Sequence, residues 1–298
     1  KKPIRRHKMI DRNSEILFLY DAQMCNPNGD MDYENKPRMD YDTSTNLVSD
    51  VRLKRYIRDY LESAKDQEIF ITASAKDAKE RNKQIKAQSL THTDMVDVRL
   101  FGAVTAEDNR EEGHYTGPIQ FNWGYSLHPV ELVDSSTITS SFSSGQGIGK
   151  DFRLYYSLIA FSGSINANAA KVTKLSDDDL TLFDESILRS IPLARTRTKI
   201  GQYPRLYLRI ELGGKDLFLK DLRPMLKVLP IDANIASNPR LIRKPADYKL
   251  DISALADYLA KNKDRIQKIH FFKDDQLDIP DFESIFVNPN WKHELSLL

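Results

Sequence analysis

The stretch from Asn26 to Leu61 constrains the fold most, because it joins a chain reversal to a strongly patterned helix. Asn26-Pro27 restricts the residue before proline, and Asn28-Gly29 tolerates positive φ. A chain leaving a strand can reverse here and present backbone N–H groups. A polar loop follows through Asn35-Lys36-Pro37-Arg38-Met39-Asp40. Ser49 then stands as an N-cap, with Asp50 at the positive end of the helix dipole. Leu53, Tyr56, Ile57, Tyr60 and Leu61 recur at helical spacing and form one apolar stripe. Arg52 and Lys54 flank that stripe, and Arg55 and Arg58 are expected to point further out. Such a helix start carries positive potential suited to phosphates. Taken alone, the helix reads as readily as a solvated surface element.

Upstream, Glu15-Ile-Leu-Phe-Leu-Tyr-Asp-Ala22 is a short apolar run, the pattern of a buried central strand. Downstream of the helix, Ile69-Phe70-Ile71 suggests a short strand, and the charged residues 75–90 an exposed helix or insertion outside the core. Asp97 suits a cap of a short helix ending at Phe101-Gly102. Ile119, Phe121, Trp123 and Tyr125 alternate with polar or small residues and predict one half-buried strand. Residues 134–150 are Ser/Gly-rich and predict a flexible segment, after which Phe152 to Phe161 predicts a strong strand. Ser176 starts a second amphipathic helix, and Tyr203 to Leu212 is the last clear strand. The order strand, helix, strands, helix, strand indicates an α+β fold. It suits a ferredoxin-like or RNA-recognition-motif sheet with two helices on one face and long insertions between elements. Beyond Leu217 the pattern weakens, with a helix near Ser253–Ala260 and a strand near Ile266–Phe272.

The 298 residues suffice for a sizeable core, and 40% hydrophobic content excludes a disordered chain. No apolar run reaches the roughly 18 residues of a spanning helix, so no membrane partner is expected. The basic start, Lys1 to Lys8, lacks the apolar core of a signal peptide. A single cysteine, Cys25, cannot form an intrachain disulfide and fits a reducing cytoplasm. Net charge is only +1, so bulk charge does not argue for nucleic acid. Its distribution does: cations gather at 1–12, 52–58, 79–86 and 195–199, and acids at 30–42 and 177–185. Segregated signs also suit head-to-tail self-assembly.

Candidate chemistry is sparse. Asp30, Asp32, Glu34, Asp40 and Asp42 cluster, but the spacing lacks the glycine and the glutamate of a calcium loop. Gly145-Gln-Gly-Ile-Gly-Lys150 imitates a phosphate loop, yet the required positions hold Ser144 and Asp151. In that segment Phe142 and Ile148 are apolar residues that could wedge between bases. None of the six histidines has a histidine or cysteine at ligand spacing, so neither metal nor cofactor is expected. Phe121, Trp123 and Tyr125 could stack bases, though half of an alternating strand faces the core. Arg195-Thr-Arg197-Thr-Lys199 alternates cations with threonines ahead of Gly201, which predicts a basic loop or an ordinary charged turn.

Three motifs in order carry a family resemblance: Asn26-Pro-Asn-Gly-Asp30, then Asn35-x-Pro-Arg-x-Asp40, then Val48-Ser-Asp-Val-Arg-Leu-Lys-Arg-x-Ile-Arg-Asp-Tyr-Leu61. Together with Asp97-Val-Arg-Leu-Phe-Gly102 they resemble the CRISPR-associated Cascade backbone proteins, the Cas-seven family in its Csd/Csh-type branch. The resemblance implies a non-enzymatic backbone subunit of a type I-B-like or I-C-like complex. Such subunits stack head to tail along CRISPR RNA and present it to target DNA beside a cap subunit and large and small subunits. It implies a palm (1–64 and 96–215) with fingers and thumb inserted near 65–95, 130–150 and 193–203, and a C-terminal extension over 216–298. That extension would pack on the palm or on a neighbouring subunit. Asn26, Asn28, Gly29, Arg38, Ser49, Arg52, Lys54, Arg55, Arg58, Arg195, Arg197 and Lys199 are the expected RNA-binding residues. Lys54→Ala with Arg58→Ala is then expected to weaken guide binding. The rival readings are a metal-dependent ribonuclease using Asp30 or Asp40, as in related type III subunits, and a generic single-strand-binding module.

Overall fold

A computed structural model describes residues 8–105, 113–134, 137–139, 148–286 and 292–294. The basic start through residue 7 and the segment holding Phe142 and Gly145 lie outside the described residues.

Among the described residues, the main sheet has nine strands. They are β1 (Ser14–Cys25), β2 (Met39–Asp40), β3 (Thr45–Val48), β4 (Ile119–Phe121) and β5 (Gly124–Ser126), followed by β6 (Leu154–Ile165), β7 (Gln202–Leu212), β8 (Ile266–Lys273) and β9 (Lys292–Glu294). Their order is β9-β8-β7-β1-β6-β5-β3-β2, with β4 also paired to β6. The long strands pair antiparallel, and Phe18 lies opposite both Phe161 and Tyr207. Among the described strands, only β8 and β9 run parallel.

The continuous apolar run of β1 has a direct cause. Ile16, Phe18 and Tyr20 face one core, shared with Leu53, Ile57 and Leu61 of α1 (Asp50–Lys65). Leu17 and Leu19 face a second core with Tyr248, Leu250 and Leu255. Side chains alternate along a strand, so a strand covered on both sides is apolar at every position. Each fully buried aliphatic or aromatic side chain contributes about 1.5–3 kcal/mol.

Helix α1 begins where Ser49 caps it, its side chain accepting from the N–H of Arg52. The other helices placed here are α2 (Ala78–Ala87), α3 (Val96–Phe101) and α4 (Asp177–Leu193). Helix α4 opens with a capping box between Ser176 and Asp179, and Phe183, Ile187 and Leu188 join the first core beside α1. Residues 217–286 supply most of the second core, and β8 extends the sheet beyond β7.

Four sequence expectations are corrected. Ile69–Ile71 is not a strand: the amides of Phe70 and Ile71 donate to the Asp97 carboxylate at 2.6 and 3.1 Å. Asp97 therefore organises a loop from within α3 rather than capping it. Residues 75–90 are not wholly outside a core, since Ile85 of α2 packs with Phe70, Met95 and Val98. The single strand expected over 119–126 is two, broken at Asn122-Trp123.

Candidate nucleic-acid interface

The turn after β1 is tied to the start of α1. Asn28 Oδ1 accepts from the N–H and the hydroxyl of Ser49 at 2.9 and 3.0 Å. Asn26 donates through Nδ2 to the Asn35 carbonyl at 2.7 Å, closing the loop on itself. The positive φ expected at Asn28-Gly29 falls instead on Met24, Glu34 and Asn35. Gly29 sits in a tight place: a Cβ there would lie 3.1 Å from the Asn35 carbonyl oxygen.

The basic segment 195–199 packs onto the same turn. The N–H of Asn26 donates to Thr198 O at 2.9 Å, and Lys199 Nζ donates to the carbonyls of Asn26 and Pro27 at 2.6 and 3.2 Å. A groove of about 440 Å³ results, lined by Asn26, Asn28, Gly29, Arg52, Lys150 and Lys199, among others. Arg52 and Lys199 also line an adjoining depression that holds Arg195. The two cations thus line both hollows.

Charge in this groove is unbalanced. Its acids are already engaged: Glu34 pairs with Lys150 at 2.6 Å, and Asp151 with Arg153 at 2.8 Å and Arg197 at 3.4 Å. Among the described residues no carboxylate pairs with Arg52 or Lys199. The Arg52 guanidinium lies 4.1 Å from the centroid of the Tyr56 ring, and its Nε has no hydrogen-bond partner. Burial pushes the Lys199 amine down to about 8, and the nearby Arg52 charge acts in the same direction. Two like charges held together in a half-buried groove are costly unless an anion joins them.

Of the twelve expected residues, Asn26, Asn28, Gly29, Arg52 and Lys199 line this groove. Arg195 sits in the adjoining hollow and Arg197 at the rim, paired with Asp151. Ser49 acts as the cap and lock of α1, with its hydroxyl and N–H occupied by Asn28. Arg38 reaches the other way, to Asp30 at 3.2 Å and over the Trp123 ring.

Two cations of α1 are corrected. Arg58 does not point outward: its side chain is 7% exposed and pairs with the buried Asp97 at 2.9 Å. Lys54 is also turned inward, donating to Asp50 at 3.1 Å and to Gln120 Oε1 at 3.0 Å. Arg55 is held by Asp59 and by the Ile71 carbonyl at 2.8 Å. The loop 66–77 and α3 cover the face of α1 that carries Arg58, so Arg58 and Lys54 brace the fold, whereas the Arg55–Asp59 pair lies at the surface. The paired substitution at 54 and 58 therefore perturbs stability first.

Sequence reasoning missed Lys150, Asp151, Phe152 and Thr198 as groove residues. A signal was present in the cluster Lys150-Asp-Phe-Arg153 immediately before β6.

The family described as CRISPR-associated protein Cas7 matches residues 12–253. A curated relative of that name from Haloferax volcanii is 33% identical over 322 aligned positions, covering 94% of this chain and 92% of its own. A chain of a structure titled "CRISPR RNA-guided surveillance complex, pre-nicking" has the same fold, with TM-score 0.53 at 12% identity, over 90% of this chain and 95% of that one. A second, titled "CRISPR RNA-guided surveillance complex", gives TM-score 0.52 at 15% identity over 90% and 94%. By the match over residues 12–253 and the 33% identity across nearly the whole chain, this protein belongs to the CRISPR-associated protein Cas7 family.

Proposed function

We propose that the chain is a CRISPR RNA-binding backbone subunit of a type I surveillance complex, gripping guide phosphates without reading bases. The observation that carries this is the convergence of Arg52 and Lys199, neither paired with a carboxylate among the described residues, on a groove built from the asparagine turn. Phosphate contacts of this kind hold register and carry no sequence information, which suits a protein serving arbitrary guides. Guide bases remain available to pair with target DNA, and backbone contacts tip that nearly balanced exchange.

The sheet order supports a finer reading. Strands β7-β1-β6-β5 with α1 and α4 follow the order of a ferredoxin-like, RNA-recognition-motif-like palm. Segments 65–95, 130–150 and 193–203 are then its insertions, and residues 216–298 an extension whose described part packs on the palm through β8 and the second core. Copies of the chain stack head to tail, with cap, large and small subunits completing a cytoplasmic complex. No helix among the described residues is long and apolar enough to cross a membrane.

We assign no chemistry to the acidic loop. Asp30 is paired with Arg38, and the Asp40 carboxylate accepts from the Thr43 hydroxyl and the Asp42 amide. Both carboxylates are serving their own loop.

The test is Arg52→Ala with Lys199→Met in the purified assembly. Co-purifying RNA of one length should be lost, and the log–log salt slope should flatten by about 0.7 per lost contact. Unchanged affinity and slope would refute the assignment. Cleavage of labelled RNA that disappears with Asp30→Asn would favour a ribonuclease, and binding with no regular repeat in electron micrographs a generic module.

A further inference from the structure

An exposed indole stands on a rigid support. Trp123 is 44% exposed, at the break between β4 and β5. Its neighbours are fixed: the Asn122 N–H donates to Ser162 O at 2.9 Å, and the Trp123 carbonyl accepts from buried Arg223 at 2.7 Å. Gly124 lies flat on the Phe161 ring, where a Cβ would approach to 2.4 Å. Single exposed apolar residues are ordinary. A rigidly mounted tryptophan that interrupts a strand is less so, because the break costs ladder hydrogen bonds.

Arg38 connects this indole to the groove. Its N–H donates to Asn28 O at 3.0 Å, on the turn that lines the groove. Its guanidinium carbon lies 5.7 Å from the centroid of the Trp123 ring and is steadied by Asp30 at 3.2 Å. The Arg38 Nε has no hydrogen-bond partner. A planar cation beside an exposed aromatic face, on a segment bonded to the turn that lines the phosphate groove, is the chemistry that receives a flat, unpaired base.

We infer that Trp123 and Arg38 form a nucleobase-stacking site for single-stranded nucleic acid. This rests on the proposed phosphate groove but adds a contact to the base rather than to the backbone. The base can come from the guide or from a target strand, and stacking is indifferent to which, since every base has a π-face.

Trp123→Ala should weaken binding of a short oligouridylate by about 5- to 100-fold, and Trp123→Phe should retain most of the affinity. An oligonucleotide of abasic residues should bind the unaltered protein and Trp123→Ala equally. The chain has two tryptophans, so in a Trp291→Phe background the remaining fluorescence reports Trp123 without altering it. Quenching when the RNA-free protein assembles on its guide, before any target is added, assigns the base to the guide. Quenching only when guide-loaded assembly meets a complementary DNA strand assigns it to the target. Quenching in neither arm overturns the inference. If Arg52→Ala with Lys199→Met abolishes binding while Trp123→Ala does not weaken it, the stacking site falls and the phosphate groove stands. If neither matters, both fall. Should Trp123→Ala alter only the length of the assembly, the indole is a protein contact and the inference fails.

Discussion

Two arginines on one helix, Arg52 and Arg58, should fail in opposite ways. Arg58 is buried against Asp97, whose side chain is 1% exposed, and its guanidinium sits 5.3 Å from the Phe101 ring centroid. Burial lowers the Arg58 pKa, and Asp97 opposes that shift. In Arg58→Ala the Asp97 carboxylate keeps its bonds from Phe70 and Ile71 but loses its countercharge. Stranding one member of a buried pair costs about 3–5 kcal/mol. With a urea m-value of about 3 kcal/mol/M or more for a chain of this size, the unfolding midpoint should fall by about 0.5–1.5 M. Arg58→Met with Asp97→Asn should recover part of the loss, because the introduced carboxamide oxygen still accepts from one of the two loop amides and no charge is stranded. Arg52→Ala exposes no such partner and should stay within about 0.5 kcal/mol of the parent. Its effect should appear in RNA affinity, where a charge-assisted contact of about 1.5–3 kcal/mol corresponds to about 10- to 100-fold. Urea melts and filter binding on the same preparations separate the two. A parental midpoint for Arg58→Ala, or folded Arg58→Ala losing affinity as Arg52→Ala does, would refute the placement of these side chains.

Other outcomes follow from buried titratable groups and tight backbone. Lys199 loses its proton near 8 in the free protein, and a bound phosphate would hold that proton, so affinity should be full well below that value and fall as pH rises through it. The loss should approach about tenfold near pH 9 in filter binding and vanish in Lys199→Met. His128 is buried with Nδ1 toward Pro129 O at 2.9 Å and Nε2 accepting from the Leu158 N–H at 3.3 Å, which requires the neutral ring. Burial lowers its pKa from 6.5 to about 4, so the unfolded chain binds the extra proton first. Stability is then full above 6.5 and falls toward pH 4 by about 3 kcal/mol, a loss that His128→Gln should lack in urea melts across pH. Gly102 has φ +73°, and a Cβ there would lie 2.1 Å from Tyr115 O. Since that neighbour is backbone, Gly102→Ala should cost at least about 1–3 kcal/mol, read by thermal melts.

What was legible in the sequence was local, and what was hidden depended on distant partners. Helix α1 announced itself through Ser49, Asp50 and an apolar stripe, because capping and periodicity act within a few turns. The turn, the helix and the basic segment 195–199 were each visible, but their meeting depended on β1 and β7 lying side by side, a non-local pairing. Arg52 and Arg58 look alike in the sequence. What separates them is Asp97, 39 residues beyond Arg58, which no periodicity connects to α1. The same carboxylate explains why Ile69–Ile71 failed as a strand despite β-forming residues: its amides had another acceptor. Lys150 and Asp151 were missed because a Ser/Gly-rich stretch reads as uncommitted, although its last residue, Lys150, and the adjoining Asp151 reach the groove just ahead of β6. A charged residue far from its partner in sequence is thus ambiguous between gripping a ligand and bracing the fold. At this site the difference reduces to whether an acid of the same chain has already claimed it. Arg58 is claimed, Arg52 is not, and so Arg52 is the charge left over for a phosphate.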